Sequence, residues 1–184
     1  MEAGFGFVGG LSASALATLA DDYDAAMAAG AGTADCRAGS TTTRLFIRDP
    51  SRFAPILRHA ELVAAAQAIV GRSPRLSSLA ARTLRPGAPM QDLHADLRRD
   101  DPDNPMAAFI VMVDPFTEAN GATRFVPGSH RWPTEPCEKT HVGEVMATGP
   151  AGGMLVFDAG IWHGHGGNRT KQPRRSLQGY FTAT

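Results

Sequence analysis

From Pro74 onward the chain changes texture. Apolar runs of strand length follow one another, each ended by Pro, Gly, Asp or Asn. They fall at residues 76–85, 93–97, 107–113, 122–126, 141–147, 154–157, 161–165 and 174–182. Roughly eight short strands after a helical start suit a mainly β fold, a double-sheet jelly roll. Ahead of Pro74 the period is that of a helix. Residues 12–29 place Leu16, Leu19, Tyr23 and Met27 at spacings of three and four, with Ser12 or Ser14 suited to the N-cap and Gly30 to the stop. Residues 53–70 give a second apolar stripe, Ile56, Leu57, Leu62, Val63, Ile69 and Val70, ended by Gly71 and Pro74. Residues 31–43 are small and polar without period and read as a surface loop. The expectation is one domain over residues 1–184: a helical part, 1–73, whose two N-terminal α-helices pack on one sheet of a jelly-roll core, 74–184.

Charge and cysteine usage exclude several function classes. Eighteen basic and eighteen acidic side chains cancel, and the arginines are spread along the chain, so no footprint for nucleic acid is expected. The two cysteines, Cys36 and Cys137, are far apart and lack metal or redox spacing, which points to a reducing, cytoplasmic setting. The apolar opening has Glu2 as its only early charge and is broken by glycines, unlike a secretory signal. No run approaches the roughly eighteen apolar residues of a membrane span, so no membrane partner is expected. A small-molecule substrate and a monomer or homodimer fit these bounds.

The chemistry lies in three segments. In Met90-Gln91-Asp92-Leu93-His94-Ala95-Asp96, strand parity puts His94 and Asp96 on one face, where both can hold one ion. Two imidazoles and one carboxylate on one side of a metal form the facial triad of non-haem Fe(II) oxygenases, so one later histidine would complete the set. The segment 161–170, IWHGHGGNRT, supplies two candidates, His163 and His165. Parity does not separate them, because they share a face. Between these segments, NGATRFVPGSH (120–130) reads as turn, strand and turn with Thr123 and Phe125 at alternate positions.

The order His94-x-Asp96, NGATRFVPGSH, His163 with Asn168, and Pro173-Arg174 resembles the phytanoyl-CoA dioxygenase family of Fe(II)- and 2-oxoglutarate-dependent oxygenases over nearly the whole chain. The family's final pattern, His-Gly-Ser-Gly-x-Asn, reads here His163-Gly164-His165-Gly166-Gly167-Asn168, so His163 takes the ligand's place and His165 the serine's. The resemblance implies a double-stranded β-helix, cupin-like fold with Fe(II) on His94, Asp96 and His163, with 2-oxoglutarate as cosubstrate and O2 as oxidant. Thr123 would face the cosubstrate. It also implies oxidation of a substrate C–H bond with release of succinate and CO2. Halogenating relatives replace the carboxylate by a small residue, so Asp96 favours hydroxylation or a related oxidation.

Arg174 suits the cosubstrate's distal carboxylate because a guanidinium presents two parallel donors. Ser176, on the same strand face, can add a hydroxyl donor, while Arg175 points the other way. His165 stands beside the metal site or faces substrate, and His130 braces its turn. His59 and His141 have no ligand partner at useful spacing, and Trp162 and Phe157 belong to the core. Residues 97–104, LRRDDPDN, follow the metal motif directly and are a candidate lid, with Arg98 and Arg99 as contacts for an anionic substrate. Two alternatives stay open: a jelly-roll binding protein without turnover, and a cupin-like metalloenzyme that needs no 2-oxoglutarate.

Overall fold

A computed structural model describes residues 1–97, 105–136 and 139–184. Among the described residues there are ten strands: β1 (Phe5–Gly10), β2 (Cys36–Ala38), β3 (Thr42–Phe46), β4 (Pro74–Leu84), β5 (Met106–Met112), β6 (Thr123–Phe125), β7 (Val145–Ala147), β8 (Gly153–Asp158), β9 (His163–His165) and β10 (Arg174–Ala183). Seven form a large sheet in the order β1-β8-β5-β10-β4-β3-β2, and three form a small one, β7-β6-β9. The strand pairings of both sheets are antiparallel among the described residues.

Alternation along the large sheet separates two cores. Leu79, Ala81, Phe109, Val111, Val156 and Leu177 point to one side, where helix α1 (Ala13–Gly30) contributes Leu19 and Tyr23, and helix α3 (Ala60–Val70) contributes Leu62, Ala66 and Val70. Ala108, Ile110, Met112, Leu155 and Phe157 point to the other and meet Ala122, Phe125, Ala147 and Ile161. This second core is the interior of the double-stranded β-helix, and the site opens beside it. Burial of each large apolar side chain contributes about 1.5–3 kcal/mol, so both faces hold the sheets in register.

The first helix begins where its capping residue predicts. Ser12 lies in extended backbone, and its Oγ accepts from the Ala15 N–H at 3.3 Å. The second apolar stripe is not one helix. It is a 3-10 turn (Ser51–Phe53), a short α2 (Ala54–Leu57) and α3, with a 77° bend between the two halves. His59 adopts a non-helical backbone at the break, and the bend lets Ile56 and Leu62 both reach the helix-side core. Gly71, in left-handed conformation, then ends α3.

Residues 31–43 are corrected in part from loop to strand, since β2 and the first two residues of β3 lie there. Neither strand carries a strong apolar pattern of its own. Pairing of β3 with β4 makes them strands, and it buries Thr43 and Leu45 at alternate positions. Glycine-rich β1 was equally unmarked and exists through pairing with β8. Conversely, 93–97 keeps only a single bridge, His94 to His163, and 141–147 keeps only β7. Of the candidate lid 97–104, residues 98–104, Arg98 and Arg99 among them, lie outside the described residues. Among the described residues no single helix is long and apolar enough to cross a membrane.

Candidate active site

His94 and His163 lie directly opposite each other. Each backbone N–H donates to the other's carbonyl at 2.9 Å. Their side chains therefore leave the same face, with ring centroids 4.4 Å apart. The Nδ1 atoms engage backbone carbonyls two residues back, Asp92 at 3.2 Å and Ile161 at 3.0 Å. That contact fixes Nδ1 as the protonated nitrogen and leaves each Nε2 lone pair aimed at the site. Asp96 completes the group: its carboxylate oxygens stand 3.7 Å from His94 Nε2 and 3.4 Å from His163 Nε2. All three ligand atoms lie within 4.8 Å of one another. Two imidazoles and a carboxylate, with their backs fixed by backbone, fit a divalent iron ion.

The electrostatics favour the metal-binding protonation state. Burial and the neighbouring His163 push the His94 pKa below its ordinary value, so the ring stays neutral. For Asp96 burial acts upward, but the neighbouring His163, then His94, outweigh it and hold the carboxyl below its ordinary range. Tyr180 also donates to Asp96. The segment carrying the first ligands is braced from behind by Arg124, which donates to the Gln91 carbonyl at 2.6 Å and forms a part-buried ion pair with Glu144. Gly164, between the two histidines, lets this segment approach: a Cβ there would stand 3.0 Å from the Gln91 carbonyl oxygen and 3.1 Å from that of Asp92.

A cavity of about 510 Å³ opens over these ligands. Arg174 reaches into it from β10, 1% exposed, stacked 4.0 Å over the Phe116 ring and donating to the Gly121 carbonyl at 2.8 Å. Its Nε has no partner, and it has no carboxylate among the described residues. Burial, then the charge of Arg82, bring its pKa down to about 9, so it is still a cation at neutral pH. A buried cation with an orphaned donor facing a cavity fits the distal carboxylate of 2-oxoglutarate.

Thr123 lines the same cavity, buried on β6 opposite His165. Ser176 shares the face of Arg174 but gives its hydroxyl to strand neighbours, donating to the Arg82 carbonyl at 3.4 Å and accepting from Gln178 Nε2 at 3.2 Å. His165 also lines the cavity. Its Nδ1 engages the Gly166 carbonyl at 2.8 Å, and burial lowers its pKa to about 4. Asn168 is a loop organiser, bonded to Leu84, Gln172 and Thr170 just ahead of β10. Arg175 points away and pairs with Asp114 and Asp24. His130 packs against Gly4, and His141 packs against Trp132 and Trp162.

Among the cavity residues missed by the sequence reading are Arg37, Arg44, Arg82, Gln91 and Tyr180. Two had a usable signal. Arg82 interrupts an apolar strand at the parity of Ala80 and Leu84, and Tyr180 shares the parity of Arg174 and Ser176.

A double-stranded β-helix with a two-histidine, one-carboxylate site defines the class of cupin-like non-haem iron oxygenases. Within that class the match is specific. The family model described as Phytanoyl-CoA dioxygenase (PhyH) covers residues 11–176, and the chain belongs to that family. Among curated relatives, the dioxygenase trt7 of Aspergillus terreus is 37% identical over 113 residues, 55% of this chain and 38% of that protein. The dioxygenase ALT11 of Alternaria alternata is 34% identical over 116 residues, 59% of this chain and 38% of that protein. The matched part is thus little more than a third of these relatives' length. Solved structures share the fold. The epimerase SnoN from nogalamycin biosynthesis superposes with a TM-score of 0.81 at 20% identity, over 99% of this chain and 79% of that one. HygX of Streptomyces hygroscopicus, crystallised with nickel, 2-oxoglutarate and hygromycin B, gives 0.79 at 14%, over 100% and 84%.

Proposed function

We propose that this chain is an Fe(II)- and 2-oxoglutarate-dependent dioxygenase that oxidises a C–H bond of a small molecule, releasing succinate and CO2. The observation that carries the proposal is the convergence, in one cavity, of the His94, Asp96 and His163 ligand atoms with the buried, carboxylate-free Arg174. Iron and cosubstrate bound there supply the power to activate O2. The chain's part is to hold and orient. His94, Asp96 and His163 would hold the metal, and the cavity beside them would take cosubstrate and O2. Arg174 takes the distal carboxylate through its guanidinium, and its charge survives at neutral pH. Thr123 borders the cosubstrate on the small-sheet side, and Ser176 fixes the Arg82 backbone beside it. Walls such as Phe157, Ile110 and Ala108 keep bulk water from the reacting centre.

The substrate is a small organic molecule, by analogy with structural neighbours whose bound ligands are nogalamycin RO and hygromycin B. The protein acts in a reducing, cytoplasmic compartment as a monomer or homodimer. The support is compositional: few cysteines, with Cys36 free, and a balanced charge.

Anaerobic loading with Fe(II), then exposure to air with ascorbate and 2-oxoglutarate, should give succinate above a protein-free blank even without the true substrate. Full iron loading with no succinate, across a panel of candidate substrates, would instead support the binding-protein alternative.

A further inference from the structure

One guanidinium on the outer face of the small sheet reaches both arms of the metal site. On β6, Thr123 and Phe125 face the interior, so Arg124 between them faces the other way. Its cross-strand partner on β9 is Gly164, the residue between His163 and His165. Directly opposed residues share a face, and a glycine leaves that face open. A Cβ at Gly164 would stand 3.5 Å from Arg124 Nη2, so the guanidinium lies across this glycine. Beyond it, Nη2 donates to the Gln91 carbonyl at 2.6 Å, three residues before His94.

The same head group is held from outside by the segment 139–144. Nη1 pairs with the Glu144 carboxylate, whose other oxygen accepts from the His141 N–H at 2.6 Å. The His141 ring packs against that of Trp162, with centroids 6.1 Å apart, and Trp162 directly precedes His163. One surface segment therefore bears on both ligand-carrying arms, through Arg124 on the 91–94 side and through His141 on the 162–163 side.

Stability alone does not require this arrangement. Arg124 is 4% exposed, and its Nε is buried without a hydrogen-bond partner. Its cross-strand neighbours, Met146 and Gly164, are uncharged. Desolvation of a buried charge pair often cancels its attraction, and apolar side chains of similar volume commonly replace such a pair without loss. An apolar side chain at 124, however, cannot hold the Gln91 carbonyl. The Gln91 N–H already donates to the His165 carbonyl at 3.0 Å, so Arg124 ties the second backbone polar group of this residue to the small sheet. The next tie along the segment is the His94–His163 bridge itself.

We infer that Arg124, held by Glu144, is a positioning residue for the metal site: it fixes the His94 arm against the His163 arm and so sets the spacing of their Nε2 atoms. The inference rests on the reading of His94, Asp96 and His163 as metal ligands. A ligand set binds its metal tightly only when supporting contacts hold each member in place.

The test compares wild type with Arg124→Gln, Glu144→Gln and the apolar double variant Arg124→Met with Glu144→Leu. Three properties are measured: Co(II) affinity by anaerobic calorimetry, the visible absorption of the bound Co(II), and amide hydrogen exchange of the metal-free protein. Arg124→Gln and the double variant should each bind Co(II) roughly ten- to a hundredfold more weakly, as on loss of a contact behind the ligands, with altered absorption bands. The double variant should keep its urea midpoint, which separates positioning from folding. Exchange should quicken over residues 90–97 and 161–166 while β4, β5 and β10 keep wild-type protection. Glu144→Gln keeps an acceptor but loses the charge, so it should show the same changes at smaller size. If Arg124→Gln fails to fold, the double variant carries the test. Wild-type Co(II) affinity in the double variant overturns the inference. Exchange that rises evenly through all strands also overturns it, by making Arg124 a support of the fold alone. Failure of wild type to bind Co(II) is a separate result that removes the metal reading; the exchange comparison on metal-free protein then decides whether Arg124 fixes the two arms.

Discussion

His94 and His163 form a hydrogen-bonded cross-strand pair, with reciprocal N–H to carbonyl contacts of 2.9 Å. One register therefore sets both imidazoles, while His165, two residues on, is paired instead with Thr123. His163→Ala should abolish stoichiometric Fe(II) binding, because one of three protein ligands is lost. His165→Ala should keep the site and lose at most about ten- to a hundredfold in affinity, the usual effect of a group beside the ligands. Anaerobic iron titration of the two variants checks this, and an equal loss in both would reassign His165.

Arg174 and Arg175 are neighbours with opposite fates. Arg174→Gln removes the buried cation, and 2-oxoglutarate should bind at least about a hundredfold more weakly with iron affinity unchanged, since breaking a buried charge pair costs on the order of 3–5 kcal/mol. Arg175→Gln should leave cosubstrate affinity as it is. It should still lower stability, because Arg175 ties β10 to Asp114 and to Asp24 of α1; for these part-exposed pairs the loss is about 1 kcal/mol. Cosubstrate titration and urea denaturation of both variants separate the two effects. Reversed effects on 2-oxoglutarate would show that the register assigned to β10 is wrong.

The parts legible in the sequence are those where one residue's chemistry or a long period decides the structure. His94, Asp96 and His163 were readable from parity and motif order, and Leu16, Leu19, Tyr23 and Met27 announced α1. What escaped depends on partners distant in sequence. Arg44 lies in a polar segment, TTRLF, that becomes a strand only because β4 offers it an edge, so its position beside Arg82 could not be foreseen. The 77° bend at His59 is set by the need to lay two apolar segments on one sheet, a tertiary demand that an apolar stripe alone does not show.

Gly164 is squeezed between the two histidines and the backbone of Gln91 and Asp92. Gly164→Ala would place a methyl 3.0 and 3.1 Å from two carbonyl oxygens, and backbone atoms have little room to yield. The bridge holding His94 opposite His163 should be pushed apart, so iron affinity and stability should both fall, the latter by about 1–3 kcal/mol. Iron titration and chemical denaturation report the two losses. Unaltered iron affinity would mean that the 91–94 segment can shift without disturbing its ligand.

Tyr23 joins α1 to the sheet. It is 1% exposed, and its hydroxyl lies 2.8 Å from Thr83 Oγ1 on β4. Burial pushes its pKa well above the ordinary phenol value, against the smaller opposing effects of the Thr83 hydrogen bond and Arg175. The folded state therefore prefers the neutral phenol more strongly than the unfolded chain does. For an acid whose folded pKa is raised, the stability is fully present below the unfolded pKa of about 10 and is lost as pH rises above it. The loss is about 1.4 kcal/mol per pH unit until the folded phenol itself ionises. Tyr180 is shifted in the same direction and adds to the slope. Tyr23→Phe should cost about 1 kcal/mol at pH 7, the net worth of the hydrogen bond. Above pH 10, however, the variant should lose stability less steeply than wild type, because one of the two shifted phenols is gone. Urea denaturation at half-unit steps from pH 7 to pH 11 measures both slopes. Parallel curves would show that the Tyr23 hydroxyl does not titrate differently in the folded and unfolded states, and that α1 is held to β4 by apolar contact alone.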